Sequence, residues 1–228
     1  MLRVVGEFPY DACEGDLGDP GRAPPGCRAH RGERRVRHAE QAEDAGAALA
    51  RGGVRCLEVV CGRPGTAGAS AIRAARAVDG LLVGAGNVIE PEQVASVARA
   101  GAQFATAPGT NMAVVHVCRE LGLPFFPGVA TPSEIERLQT LGVRAMGVFP
   151  VVALGGTPFL EAVAGAYPTV AFPPSGGVRS ETLRAYAALP SVLAVSCTWI
   201  VRQEHVRTRN FDRVERIARE AQATVGRL

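Results

Sequence analysis

The chain contains no lysine: all 25 of its Lys+Arg residues are arginines. Arginine keeps its proton and does not condense with carbonyls, whereas lysine is the side chain that forms Schiff bases. The α-amine of Met1 is then the primary amine that remains, and a mechanism through an internal lysine imine is excluded. Aromatic residues are also scarce, at 5% against 47% hydrophobic residues, so the core must be built mainly from Val, Leu and Ala. No stretch approaches the roughly 18 apolar residues of a membrane span. The opening MLRVVGEFPYD is too short and too acidic for a signal peptide, so a cytoplasmic protein without membrane contact is expected. A formal charge of +3, spread as scattered arginines, gives no basic block for nucleic acid. The six cysteines form no CxxC pair and show no metal-ligand spacing, so free thiols are expected, with no metal and no cofactor. Cys13 and Cys27 share one irregular segment and are the two that could pair.

Short apolar runs recur with helix-like segments between them. From residue 54 they are VRCLEVV (54–60), GLLVGAG (80–86), AQFATA (102–107), LPFFPG (123–128), RAMGVFP (144–150), TVAFPP (169–174) and VLAVSC (192–197). Each is bounded by Gly, Pro or Ser, as buried strands are. EPEQVASVARAG places Pro91 in a first helical turn and Gly101 at the stop. TPSEIERLQTLG does the same, with Thr131 or Ser133 as cap and Gly142 as stop. Alternation at this spacing means repeated parallel βα units. With RVVGEF (3–8) there are eight strands, which predicts a single-domain (β/α)8 barrel over 1–228. A doubly wound open sheet is the alternative, but GAGNVIE at 84–90 supplies GxG without the full dinucleotide pattern and reads as a tight barrel turn. Residues 9–38 fit no element and are expected to form an irregular insertion: a surface loop, or a lid or oligomer contact near the barrel mouth.

In a barrel the active site lies at the C-terminal ends of the strands. Those ends read LEVVCGRP (57–64), VGAGNVIEPEQ (83–93), TAPGTN (106–111), LPFFPGVATPSEI (123–135), VFP (148–150), FPPSGGV (172–178) and VSCTWIV (195–201). In this order, with GVATPSEI the most specific, they closely resemble the KDPG/KHG (2-keto-3-deoxy-6-phosphogluconate) aldolase family over about residues 45–203. The resemblance implies a (β/α)8 barrel, usually a homotrimer, that cleaves a 2-keto-3-deoxy sugar acid, often phosphorylated, into pyruvate and an aldehyde. It implies Glu58 as the proton-transfer residue. A carboxylate facing a barrel interior is also costly on physical grounds unless it is functional or paired.

The resemblance places the family's imine lysine at Gly147. The family's arginine four residues after the glutamate falls on Gly62, with Arg63 beside it. Family GAGT becomes Gly84-Ala85-Gly86-Asn87, while Pro108, Gly128 and Phe149 are retained as substrate-pocket positions. The phosphate-binding positions are Ser175, Gly176 and Gly177, with Cys197 and Thr198 in the loop after the last strand. Glycines there let backbone N–H groups approach an anion. Glu58 with Cys61 is too few ligands for a metal. His30, His38, His116 and His205 fall at no strand's C-terminal end and read as structural or exposed.

Three functions fit. One is non-imine lyase, isomerase or dehydratase chemistry on a 2-keto acid or phosphorylated sugar acid, with Glu58 moving a proton. The alternative is a catalytically inactive homologue that binds a keto acid or phosphate ligand. A third is assembly with a competent partner.

Overall fold

The computed structural model describes residues 3–8, 28–61 and 68–226, with side chains described from residue 39 onward. Cys13, Cys27 and Arg63 lie outside the described residues. The first strand, β1 (Arg3–Phe8), pairs in parallel with both β2 (Cys56–Val60) and β8 (Ala194–Cys197). β2 continues to β3 (Leu82–Gly86), β4 (Ala105–Thr106) and β5 (Phe125–Phe126). Pro127 separates β5 from β6 (Gly128–Val129), because proline has no N–H to donate to the ladder. β6 pairs with β7 (Gly147–Val148).

The circuit then closes through residues 171–174, which meet β7 by the parallel bridge Val148↔Pro174 and the residues just before it by Ala145↔Ala171. On the other side Ser196 N donates to the Pro174 carbonyl at 3.1 Å and Phe172 N to Ser191 O at 2.8 Å. Eight parallel stretches therefore form the (β/α)8 wall. The TVAFPP run contributes isolated bridges instead of a continuous strand, because Pro173 and Pro174 remove two donors in succession.

The helices begin and end where their capping chemistry dictates. α3 (Pro91–Arg99) starts with Pro91 in its first turn, and Gln93 Oε1 accepts from Ile89 N and Glu90 N. In α5 (Pro132–Gln139) the cap is Thr131: its hydroxyl accepts from Glu134 N, and Glu134 Oε2 accepts from Thr131 N at 2.9 Å. This reciprocal pair is a capping box. Gly101 and Gly142, just past these helices, take φ of +92° and +78°, where a Cβ would be strained.

The expected insertion is shorter than 9–38, since helix α1 spans Arg28–Arg51 and takes in its last eleven residues. The Arg-rich stretch before Ala39 lacks apolar periodicity, which hides the helix from a pattern reading. Residues 9–27 are outside the described residues. At its C-terminal end α1 meets α9 (Phe211–Val225) so closely that a Cβ at Gly52 would lie 2.5 Å from Ala218 Cβ. Arg51 Nε reaches Glu215 Oε2 there at 2.7 Å. Among the described residues no helix is long and apolar enough to cross a membrane.

Candidate active site

Alternation along β2 sets the site. Leu57 and Val59 are fully buried in the main core, while Cys56, Glu58 and Val60 line a cavity of about 240 Å³ inside the barrel. Glu58 is half-buried, because it lies deep in the wall but faces the open cavity. On the neighbouring strand a Cβ at Gly86 would overlap Glu58 Oε1, and one at Gly84 would overlap the ring of Phe104. The GxG of β3 is therefore not a tight turn. It lies within the strand, and its two missing side chains make room for a carboxyl and a ring.

Thr106 on β4 donates its side-chain hydrogen bond to Glu58. Burial nevertheless pushes the Glu58 carboxyl up to about 7, against the opposing pull of that bond. A carboxyl that gains and loses its proton near neutrality suits general acid–base work. Among the described residues lining the cavity, Glu58 is the one carboxylate, and none is an arginine or histidine.

The rim joins Asn87, Pro108, Gly147, Phe149 and Ser175, from the C-terminal ends of the strands, to the same cavity as Glu58. Asn87 is exposed and has φ +62°, a left-handed conformation that asparagine tolerates better than most side chains. Gly147 leaves room: a Cβ built there would meet the Pro127 carbonyl at 3.8 Å, an ordinary contact.

Other expected positions act elsewhere. Gly128 does not line the cavity; a Cβ on it would overlap the Pro108 carbonyl, so its role is to let β6 pass beneath the rim. Gly176 has φ +88° and sits against Phe149, where a Cβ would come within 2.9 Å of the ring. Gly177 packs against Val152 in the same way. Cys197 is fully buried in the main core and Thr198 is exposed; neither lines the cavity. β8 presents Ala194 and Ser196 there, since side chains alternate along the strand and Cys197 takes the opposite face. Gly86, Thr106 and Ser196 belong to the site although the strand-end motifs that contain them do not single them out. The signal for Gly86 is a strand glycine near a buried acid on the adjacent strand.

The raised Glu58 carboxyl carries a stability consequence. The folded protein holds that proton more tightly than the unfolded chain, so stability from this group is full below pH about 4.5 and is lost as pH rises through about 7. The loss amounts to at most roughly 3 kcal/mol, reduced by water in the cavity that screens the carboxylate. Denaturant titrations from pH 4.5 to 8 should show this decline in the wild type and its disappearance in Glu58→Gln. Parallel curves for the two proteins would mean that Glu58 titrates normally.

A sequence model of the KDPG and KHG aldolase family matches residues 34–217. The KHG/KDPG aldolase of Escherichia coli K12 is 38% identical over 187 residues, covering 82% of this chain and 87% of that one. Among solved structures, the KDPG aldolase of Legionella pneumophila, with pyruvate captured as a covalent carbinolamine, superposes with a TM-score of 0.75 at 33% identity. That match covers 80% of this chain and 88% of the other. The aldolase of Zymomonas mobilis ZM4 with 3-phosphoglycerate has a TM-score of 0.74 at 28% identity over 82% and 87% of the two chains.

Proposed function

Because this chain belongs to the KDPG and KHG aldolase family, we propose that it binds a 2-keto acid at the barrel mouth and uses Glu58 to move a proton at the carbon next to the keto group, with no imine intermediate. One observation carries this reading: a carboxyl titrating near neutrality faces an open cavity in a chain that has no lysine.

In this reading the Glu58 carboxylate takes the α-proton and becomes the acid. The electron pair of the broken C–H bond moves onto the keto oxygen, giving an enolate. An iminium would have absorbed that charge; without one, hydrogen-bond donors must meet it. The Asn87 amide and the Ser175 hydroxyl are donors on the same cavity wall. Returning the proton to carbon completes an exchange or an isomerisation. The same enolate, reached by breaking a C–C bond, would complete a lyase reaction when Glu58 protonates it. A phosphorylated substrate would place its phosphate toward the Ser175 hydroxyl and the N–H groups of Gly176 and Gly177, the Ser175 N–H being donated to Val148 O. A homotrimer, and action on a phosphorylated sugar acid, belong to this reading as proposals.

Exchange of the pyruvate methyl protons for deuterium, followed by NMR in D2O, tests it. Pyruvate should exchange faster with the protein than without it, while borohydride leaves no pyruvyl adduct on any internal residue. An internal adduct found by mass spectrometry would overturn the non-imine mechanism. The absence of lysine also favours a second reading, an inactive homologue that holds the keto acid. Pyruvate binding without any exchange would select that one.

A further inference from the structure

β2, β3 and β4 lie side by side, and their registers fix what can meet across them. Glu58 is level with Gly84, and Ala85 is level with Ala105, which sets Thr106 beside Gly86. The Glu58 carboxyl therefore leans across β3 toward the C-terminal ends of the strands, over Gly86, to reach the Thr106 hydroxyl. Gly86 opens that path. It is not one of the glycines with positive φ, so no left-handed backbone demands a glycine there. The three atoms nearest to a Cβ built on it all belong to the Glu58 side chain: Oε1, Cδ at 2.8 Å and Cγ at 2.9 Å. The missing side chain at Gly86 thus answers to Glu58 and not to the course of the main chain.

We infer that Thr106 is a positioning residue for Glu58, working through the gap at Gly86: its hydroxyl holds the carboxyl tilted across β3, one residue short of Asn87 on the cavity rim. The role in catalysis rests on the reading above, in which Glu58 moves the substrate proton. A glutamate free in a cavity samples several rotamers, and a hydrogen bond that selects one removes that freedom before the substrate arrives. The bond has a second effect. Burial favours the neutral carboxyl, and the Thr106 hydroxyl, by donating to the ionised form, favours that form in opposition. Thr106 thereby keeps a share of Glu58 available as a base at neutral pH. Two other titratable residues belong to this level of the wall. Cys56, two residues earlier on β2, lines the same cavity, and Glu7 is the β1 residue in register with Glu58. β3 and β4 bring none.

Carbon-13 NMR of the intact protein, labelled at the glutamate side-chain carboxyl, reads Glu58 directly; its signal is the one lost in Glu58→Gln. In Thr106→Val the titration midpoint of that signal should rise by about one pH unit. Thr106→Ser, which keeps the hydroxyl, should bring it back. Gly86→Ala, which pushes the carboxyl off Thr106, should raise the midpoint as well and add nothing to Thr106→Val, because the two changes break one contact. Pyruvate exchange in Thr106→Val should slow about fivefold at pH 7, as the ionised share of Glu58 falls from about half to about a tenth. A loss of about threefold should remain at pH 9.5, where the carboxyl is ionised in both proteins and its orientation differs. An unchanged midpoint in Thr106→Val would overturn the inference, and so would additive shifts in the double variant. A shift that vanishes in a Glu7→Gln background would assign the effect to β1 and overturn it too. Full recovery of exchange at pH 9.5 would confine Thr106 to ionisation and overturn the positioning role. Should Gly86→Ala fail to fold, the Val and Ser variants decide. The titration needs no substrate, so a wild-type protein that exchanges no pyruvate would sink the keto-acid reading while the midpoints still decide whether Thr106 holds Glu58.

Discussion

Glu58→Gln should slow pyruvate proton exchange by about 10²–10⁴-fold, the usual contribution of a positioned general base. The amide is close to isosteric and can still accept the Thr106 hydroxyl, so circular dichroism should be unchanged. The carboxyl is well suited to the role because three strands set it. β2 turns it into the cavity, Gly86 on β3 leaves space for its oxygens, and Thr106 on β4 holds it. Exchange at the wild-type rate in this variant would remove Glu58 from the mechanism. A loss confined to pH values above about 7 would instead show that only the ionised form matters.

Gly147→Lys should create imine chemistry where none exists. A Cβ fits at this position with its nearest contact at 3.8 Å, and residue 147 lines the same cavity as Glu58. The apolar wall would desolvate the introduced amine and lower its pKa, which frees the lone pair for attack on a carbonyl. Incubation with pyruvate and borohydride should then give one covalent adduct, mapped by mass spectrometry to the substituted position. A folded variant that binds pyruvate but gives no adduct would show that β7 does not present a side chain to the keto carbon.

Much of this architecture is legible before any coordinates. Apolar runs bounded by Gly and Pro mark all eight wall segments, because a strand buried on both faces needs an unbroken apolar run. The cap at Thr131 is legible because its reciprocal partner, Glu134, lies three residues on. Glu58 is legible because an acid inside an apolar strand has few innocent explanations. The rest depends on neighbours that are distant in sequence. Thr106 becomes part of the site only through a strand about fifty residues away. Gly86 looks like a turn residue until the carboxyl beside it is seen. The small apolar cluster of Cys56, Phe104 and Ala194, separate from the main core, is invisible in the chain, since each residue alone is an ordinary strand residue. Cys197 shows the converse: it belongs to a loop motif by position, yet strand alternation turns it into the core.

The placement of β1 between β2 and β8 has a consequence for synthesis. Arg3 finds its partner in Ala194, so β1 is synthesised about 190 residues before β8 and waits for it before its second edge is satisfied. Contacts of such sequence separation slow folding, and an unpaired strand edge is a template for pairing with another chain. A nascent chain that ends before Ala194 can pair β1 with β2 but cannot close the wall. Vulnerability to aggregation is therefore concentrated in the interval before Ala194–Cys197 emerge, and a stalled or truncated product is its expected form.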